Sequence, residues 1–278
     1  MMRADMHIHT YYSDGAQSPQ TVVATAKGRG VDLISVTDHD NACAWKEVSA
    51  LAKAQDIVAV CGEEISAYDG EVKVHILGYN MDTGCAEYVA FHKKLDDGAE
   101  QRTADILKKL AAKGINIKYE DVLKERRFSQ SPIHAMHIAA AGAKRGYASS
   151  PVDFYARYLN YGTAGFSCIC RPSSEETVRF IKSCGGVCSL AHPGRISMEK
   201  EGVISLIERL KQCGMDGIEA VYSGHTATET QYYKEIAAKL NLLVTGGSDT
   251  HYAQGNRSIG TPLFCPDERL LAALGLKH

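Results

Sequence analysis

Short apolar runs recur along the chain. Each is followed by a polar loop, and most loops lead into segments with apolar residues at helical spacing. Seven runs read as strands: residues 4–9, 31–37, 57–61, 72–79, 186–191, 217–222 and 242–246. Ser18 is a predicted N-cap with Pro19 at the first helical position, and Gly28 and Gly30 close that helix. Further helices are predicted over 42–55, 174–183, 204–213 and 228–240. The alternation predicts an α/β fold with a mainly parallel sheet. One stretch breaks the rhythm. Residues 87–161 hold no convincing strand and read as helices over 94–113, 132–145 and 151–159. They are read as a helical insertion beside a barrel built from residues 1–86 and 162–278.

A length of 278 residues suits one barrel-sized domain or a domain carrying an insertion. Apolar residues at 45% and charged residues at 23% exclude a disordered tail, a coiled-coil rod and a collagen-like chain. No apolar run approaches the ~20 residues that cross a bilayer, and the first residues lack a signal-peptide core. No membrane partner is therefore expected. The nine cysteines are odd in number and contain no Cys-x-x-Cys; the nearest pair is Cys168 and Cys170. They read as reduced thiols of a cytoplasmic protein. A formal net charge of -2 gives no basic field for duplex nucleic acid, which argues against a nucleic-acid-binding regulator.

The polar residues that change this picture sit at strand ends. On the first strand, two-residue periodicity puts Asp5, His7 and His9 on one face. Two imidazoles so placed can reach one divalent cation, with Asp5 as an orienting partner. Ser13-Asp14-Gly15 follows in a loop. Thr37-Asp38-His39-Asp40 ends the second strand and Gly62-Glu63-Glu64 the third, while His75 lies in the fourth. His192-Pro193-Gly194-Arg195 ends the fifth strand, and Gly247-Ser248-Asp249-Thr250-His251 ends the last. In a parallel barrel all such ends share one face. Nitrogen and oxygen ligands without thiolates suit Zn, Mn or Fe at a hydrolytic site.

These motifs, in this order, resemble those of the PHP (polymerase and histidinol phosphatase) family of metal-dependent phosphoesterases, from Asp5 to about Gly260. The resemblance implies a distorted (β/α)7 barrel and two or three divalent ions. It assigns His7, His9, Glu64 and Asp249 to a first metal. Glu64 bridges to a second, held with His75 and His192. Asp14, His39 and His251 go to a third. Some members have His where Asp14 stands, and Glu63 would point the other way on its strand. The pattern is most similar to a branch of 3',5'-bisphosphonucleotide phosphatases and 5'-to-3' exoribonucleases of short RNA. That branch shares the insertion, Gly194-Arg195 after His192-Pro193, and Gly217-Ile218-Glu219-x-x-Tyr222 followed by His225. It commonly reads Arg-Pro-His-Ile-Ala where this chain has Ala135-Met136-His137-Ile138-Ala139.

The expected activity is hydrolysis of phosphate esters of small nucleotides or short oligonucleotides by a metal-bridged hydroxide. Arg195 and His225 are the candidate catalytic residues, and His225 is a candidate proton donor to the leaving oxygen. Arg195, His225, His137 and Arg102 are candidate substrate contacts, and His134 reads as an ordinary helix residue. Residues 124–127 offer further cations for a second phosphate. Two alternatives stand beside this reading: a histidinol-phosphate-type phosphatase, and a noncatalytic metal-binding module. The sequence sets neither the metal's identity nor the oligomeric state.

Overall fold

The seven strands pair in chain order: β1 (Ala4–Ile8), β2 (Leu33–Val36), β3 (Val58–Asp69), β4 (Val72–Tyr79), β5 (Val187–Leu190), β6 (Gly217–Tyr222) and β7 (Leu243–Gly247). The computed structural model describes residues 2–128, 131–252 and 257–276. Met1 and residues 277–278, the extremes of the predicted barrel, lie outside the described residues. The segment after β7 returns to β1. Asp249 N–H donates to His7 O at 2.7 Å, and His9 N–H donates to Thr250 O at 3.0 Å. These bonds nearly close the sheet into a barrel, as the sequence predicts.

Helices α1 (Pro19–Gly28) and α2 (Trp45–Lys53) cover the first strands. After β4 come α3 (Ala86–Ala111), α4 (Tyr119–Leu123), α5 (Ala135–Lys144) and α6 (Pro151–Phe154), then a π-helical turn over Tyr155–Leu159. The barrel resumes with α7 (Ser174–Ser183), α8 (Lys200–Gln212), α9 (Ala227–Lys239) and α10 (Glu268–Ala273). Side-chain caps set several of these boundaries. Ser18 Oγ accepts from Thr21 N–H at 3.2 Å. Ser173 with Glu176, and Thr226 with Glu229, each exchange side-chain and backbone bonds reciprocally.

Two elements differ from expectation. β3 runs to Asp69, eight residues beyond its predicted end. Glu63 and Glu64 hid its second half, because charge interrupts the apolar pattern that marks a strand. The two-residue alternation nevertheless continues through them. Ile65 and Ala67 join the core outside the sheet, while Glu64 and Ser66 face inward. A turn at Gly70, with φ +60°, sends the chain directly into β4. β4 is therefore antiparallel to both neighbours, whereas the other four strand pairs are parallel. No crossover helix separates β3 from β4, which is the distortion of the barrel. Helix α3 starts at Ala86, not near residue 94, because Cys85 Sγ accepts from Tyr88 N–H and caps it there.

The core is divided. Three apolar clusters surround the strands. In one of them Leu270, Leu271 and Leu274 plug the end of the barrel where β1, β2, β5 and β7 begin. A fourth cluster lies wholly among the helices after β4, with Leu110, Ile138 and Phe154 at its centre. The long α3 belongs to both: Tyr88 packs on the barrel, and Ile106 and Leu110 pack on the helices.

The closing seam leaves no room for a side chain. A Cβ on Gly247 would lie 2.5 Å from the His7 backbone nitrogen and 2.9 Å from Asp5 Oδ1. Gly247→Ala is expected to destabilise the fold by about 1–3 kcal/mol, measured by denaturant unfolding.

Candidate metal centre

β1 presents His7 and His9 inward because alternate residues share a face. β3 presents Glu64 opposite them. Glu64 Oε2 lies 3.2 Å from each of His7 Nε2, His9 Nε2 and His39 Nδ1. Its other oxygen, Oε1, lies 2.7 Å from His75 Nδ1 and 2.9 Å from His192 Nε2. Asp249 Oδ1 stands 3.2 Å from His9 Nε2 and 3.4 Å from His251 Nδ1. His251 Nε2 reaches Asp14 Oδ1 at 3.2 Å. All the side chains assigned from the sequence thus converge around Glu64. His75 gets there although β4 runs backwards: it lies in the strand's first half, at the same mouth as the C-terminal ends of the other strands. Glu63 points the other way, accepting from Tyr88 OH at 2.9 Å and facing His92 at 3.2 Å.

The groupings differ in detail from the sequence assignment. His7, His9, Glu64 and Asp249 form one four-ligand set. His39 borders two sets, one with Glu64 and His75 and one with His9, Asp14 and His251. Its Nδ1 faces Glu64, and its Nε2 lies 3.9 Å from Asp14. His192 completes the middle of the cluster, 3.3 Å from His75.

This donor set fits divalent cations. His7 Nδ1 lies 2.9 Å from Glu219 Oε1, so its proton sits there and Nε2 presents a lone pair. That lone pair faces His9 Nε2 at 3.1 Å and a carboxylate oxygen. Glu64 Oε2 and His39 Nδ1, 3.2 Å apart, are both buried without a hydrogen-bond partner. Converging acceptors of this kind repel one another unless a cation lies among them. Burial alone would lower the His7 imidazole, but Glu219, Glu64 and Asp249 hold it well above its ordinary range. Protons and metal ions therefore compete for these nitrogens.

The surrounding carboxylates hold backbone in place. Asp5, expected to orient an imidazole, instead accepts from Ser248 N–H at 2.9 Å and Gly260 N–H at 2.8 Å. It is too deep in the barrel to reach a ring and fastens the segment that carries Asp249. The carboxylate that does hold an imidazole is Glu219. The sequence motif that contains Glu219 gives it no role, although an acidic residue inside an apolar strand was a signal. Asp38 accepts from Thr10 N–H, Thr10 Oγ1 and Ser13 Oγ, fixing the loop that bears Asp14. Asp40 accepts from Ser66 N–H and pairs with Arg171. Asp40, His192 and Asp249 all have positive φ (55°, 27° and 51°), strain that such bonds offset. The outer oxygen of Asp249 takes Tyr222 OH and Arg257 Nη1, each at 2.8 Å.

At the rim several expectations change. His225 has both ring nitrogens on backbone: Nδ1 at 3.1 Å from Ala220 O, and Nε2 accepting from Gly194 N–H at 3.1 Å. No nitrogen remains to protonate a leaving group or grip phosphate, so His225 braces the turn that carries His192 and Arg195. Arg195 is exposed at the mouth, 3.4 Å from Tyr222 OH. His137 turns away: its Nδ1 accepts from His134 N–H at the start of α5, and burial lowers it to about 4. His134 instead lines a pocket between the barrel mouth and the helices, together with Asp14, His39, Lys73, Arg102 and Arg171. Arg102 was singled out in the sequence, whereas Lys73 and Arg171, which line the same pocket, were not. Residues 124–127 are occupied elsewhere: Lys124 pairs with Asp121, and Arg126 and Arg127 donate to the carbonyls of Ser131 and Ala16. All nine cysteines are free. Among the described residues no helix is long and apolar enough to cross a membrane.

Comparison with known proteins agrees with this geometry. Residues 5–85 match the PHP domain. The chain is 29% identical to the phosphoribosyl 1,2-cyclic phosphate 1,2-diphosphodiesterase of Eggerthella lenta, over 90% of this chain and 94% of that protein. It is also 29% identical to the 3',5'-nucleoside bisphosphate phosphatase of Chromobacterium violaceum, over 94% and 91%. The 5'-3' exoribonuclease of Haemophilus influenzae is 29% identical over 95% of each chain. Among solved structures, a protein from Chromobacterium violaceum described as an amidohydrolase, with bound sulfate and no metal, superposes with TM-score 0.86 at 27% identity, covering 98% of this chain and 96% of that one. A Bifidobacterium adolescentis structure described as a metal-dependent phosphoesterase gives 0.84 at 27% identity, covering 98% and 94%.

If cations bind only the folded chain, Mn or Zn ions at a hundred times their dissociation constant should add about 2.7 kcal/mol to chelator-stripped protein. Thermal unfolding with and without metal measures this. Glu64→Gln should remove most of the gain.

Proposed function

Starting from a chain that is a PHP-domain phosphoesterase, we propose that it hydrolyses a phosphate ester of a small nucleotide or short oligonucleotide carrying a second phosphate. The reacting phosphate would sit at the cluster around Glu64, and the second phosphate in the neighbouring pocket. The observation that carries this reading is Arg102. It is 7% exposed and makes no hydrogen bond or ion pair among the described residues. Burial, then the nearby Arg171, pulls its guanidinium down to about 10. Asp40, the carboxylate that acts on it, is already paired with Arg171 and offsets this only in part, so a phosphate would complete the guanidinium bidentately. The names of the Chromobacterium and Haemophilus relatives point to the same substrate class.

Two or three divalent ions, of Mn, Zn or Fe, fit the donor set. His7, His9, Glu64 and Asp249 would hold the first; Glu64, His75 and His192 the second; and Asp14, His39 and His251 the third. When bound, they would supply Lewis acidity toward phosphate oxygens and lower the pKa of water. The chain's own residues do the positioning. Arg195 at the mouth would take a non-bridging oxygen of the reacting phosphate. Arg102 and Lys73 would fix the distal phosphate and set which ester bond reaches the cluster. Tyr222 keeps the outer oxygen of Asp249 engaged, leaving Oδ1 directed inward. Every assigned ligand position holds a competent side chain, which disfavours a noncatalytic module. A histidinol-phosphate-type substrate would leave the Arg102 pocket unused. Free thiols fit a reducing, cytoplasmic setting.

Phosphate release from a panel of nucleoside 3',5'-bisphosphates, nucleoside monophosphates, histidinol phosphate and a cyclic phosphodiester tests the reading. Bisphosphates should give the highest kcat/KM. Arg102→Met should lower that value about 10- to 100-fold for bisphosphates and leave monophosphates much less affected. Equal turnover of monophosphates or histidinol phosphate, indifferent to Arg102→Met, would refute it. A preference for the cyclic ester would place the activity with that of the Eggerthella relative.

A further inference from the structure

Resting on that reading of the cluster, we infer that Glu219 is a positioning residue that couples two of the metal positions, orienting one ligand of each. It sits in β6 and is 0% exposed. Among the described residues its one ion-pair partner is His7, and no lysine or arginine reaches it. A carboxylate this deep without a lysine or arginine beside it is expensive, so both of its oxygens must be well used. Oε1 takes the Nδ1 proton of His7 at 2.9 Å, and Oε2 takes the backbone N–H of His192 at 2.8 Å. His7 is on β1, and His192 follows β5. β6 is hydrogen-bonded to β5 but not to β1, so the side chain spans the barrel interior to reach both.

Each bond decides something at the cluster. With the proton held on Nδ1, His7 can only offer a lone pair at Nε2, toward Glu64, Asp249 and His9. The opposite tautomer would put a proton where a cation belongs. His192 has a left-handed backbone, φ 27° and ψ 60°, and its N–H is drawn inward by Glu219 rather than into the sheet. That sets its Nε2 at 2.9 Å from Glu64 and 3.3 Å from His75. The two rings so fixed lie stacked, 5.7 Å between centroids. One carboxylate therefore orients a ligand of the first position and a ligand of the second. Tyr222, by contrast, touches only Asp249 among the assigned ligands through its hydroxyl.

The test is metal binding, read without turnover. Chelator-stripped full-length protein is titrated with Mn or Zn ions alone, by calorimetry and chelator competition. In Glu219→Gln the amide oxygen accepts from His7 only as a weaker, neutral acceptor, and its NH2 faces the N–H of His192, donor against donor. Affinity should fall about 10- to 100-fold at both positions, and the NMR signature of the Nδ1-protonated His7 ring should change. Tyr222→Phe should weaken only the position that uses Asp249. If Glu219→Gln does not fold, Glu219→Asp, one methylene shorter, carries the same two readings. Failure of the wild-type chain to bind metal would overturn the reading of the cluster itself. Wild-type binding matched by the variant, or weakened at one position alone, would overturn the coupling.

Discussion

A carboxylate enclosed by imidazoles sets the terms for the rest of the molecule. Glu64 is 1% exposed, and each of its oxygens faces two or three histidine nitrogens. Such a group cannot be tolerated in an apolar interior unless positive charge is brought to it. The barrel does this by aiming ligands from β1, β3 and β4, and from the segments after β2, β5 and β7, at one point. The near-closure of the sheet is part of the same arrangement, because the bonds that join β7 to β1 run through Asp249, His7 and His9.

Around that point the acidic residues divide into two kinds. Glu64, Asp14 and Asp249 turn oxygens toward the imidazoles. Asp5, Asp38 and Asp40 spend theirs on backbone N–H groups, on the hydroxyls of Thr10 and Ser13, and on Arg171, holding the loops that present ligands. Glu219 does both. This outer layer stabilises backbone conformations that would otherwise be strained at Asp40, His192 and Asp249. Rigidity where ligands must converge is what lets several charged groups share so little space.

The proposed specificity rests on different material. The helices after β4 have their own apolar core, and α3 ties that core to the barrel while carrying Arg102 to the mouth. The chain as a whole is slightly acidic, so attraction of an anionic substrate is local. In the proposed reading it would come from Arg102, Arg171, Lys73 and Arg195, and from the cations held by the cluster. The net charge of the whole chain says little about affinity for a small phosphate ester.

The residues that converge on Glu64 were legible in the chain, because chemistry-bearing side chains at strand ends recur with an order and spacing that chance does not produce. Strand count and most helix boundaries were legible for a related reason: alternation, capping serines and threonines, and terminal glycines are local signals. What the chain alone could not decide involved partners distant in sequence. Charge on Glu63 and Glu64 concealed the long β3 hairpin, and only burial against Tyr88 and the histidines explains how that strand survives. The role expected of Asp5 falls to Glu219, since depth in the barrel determines which carboxylate reaches a ring. His134 and His137 exchange expected positions, because the start of α5 turns one toward the pocket and the other onto its own backbone. Arg171 and Lys73 meet Arg102 only after the helices fold back over the mouth. Local pattern determined which residues carry the chemistry; tertiary packing decided which atom of each one faces it.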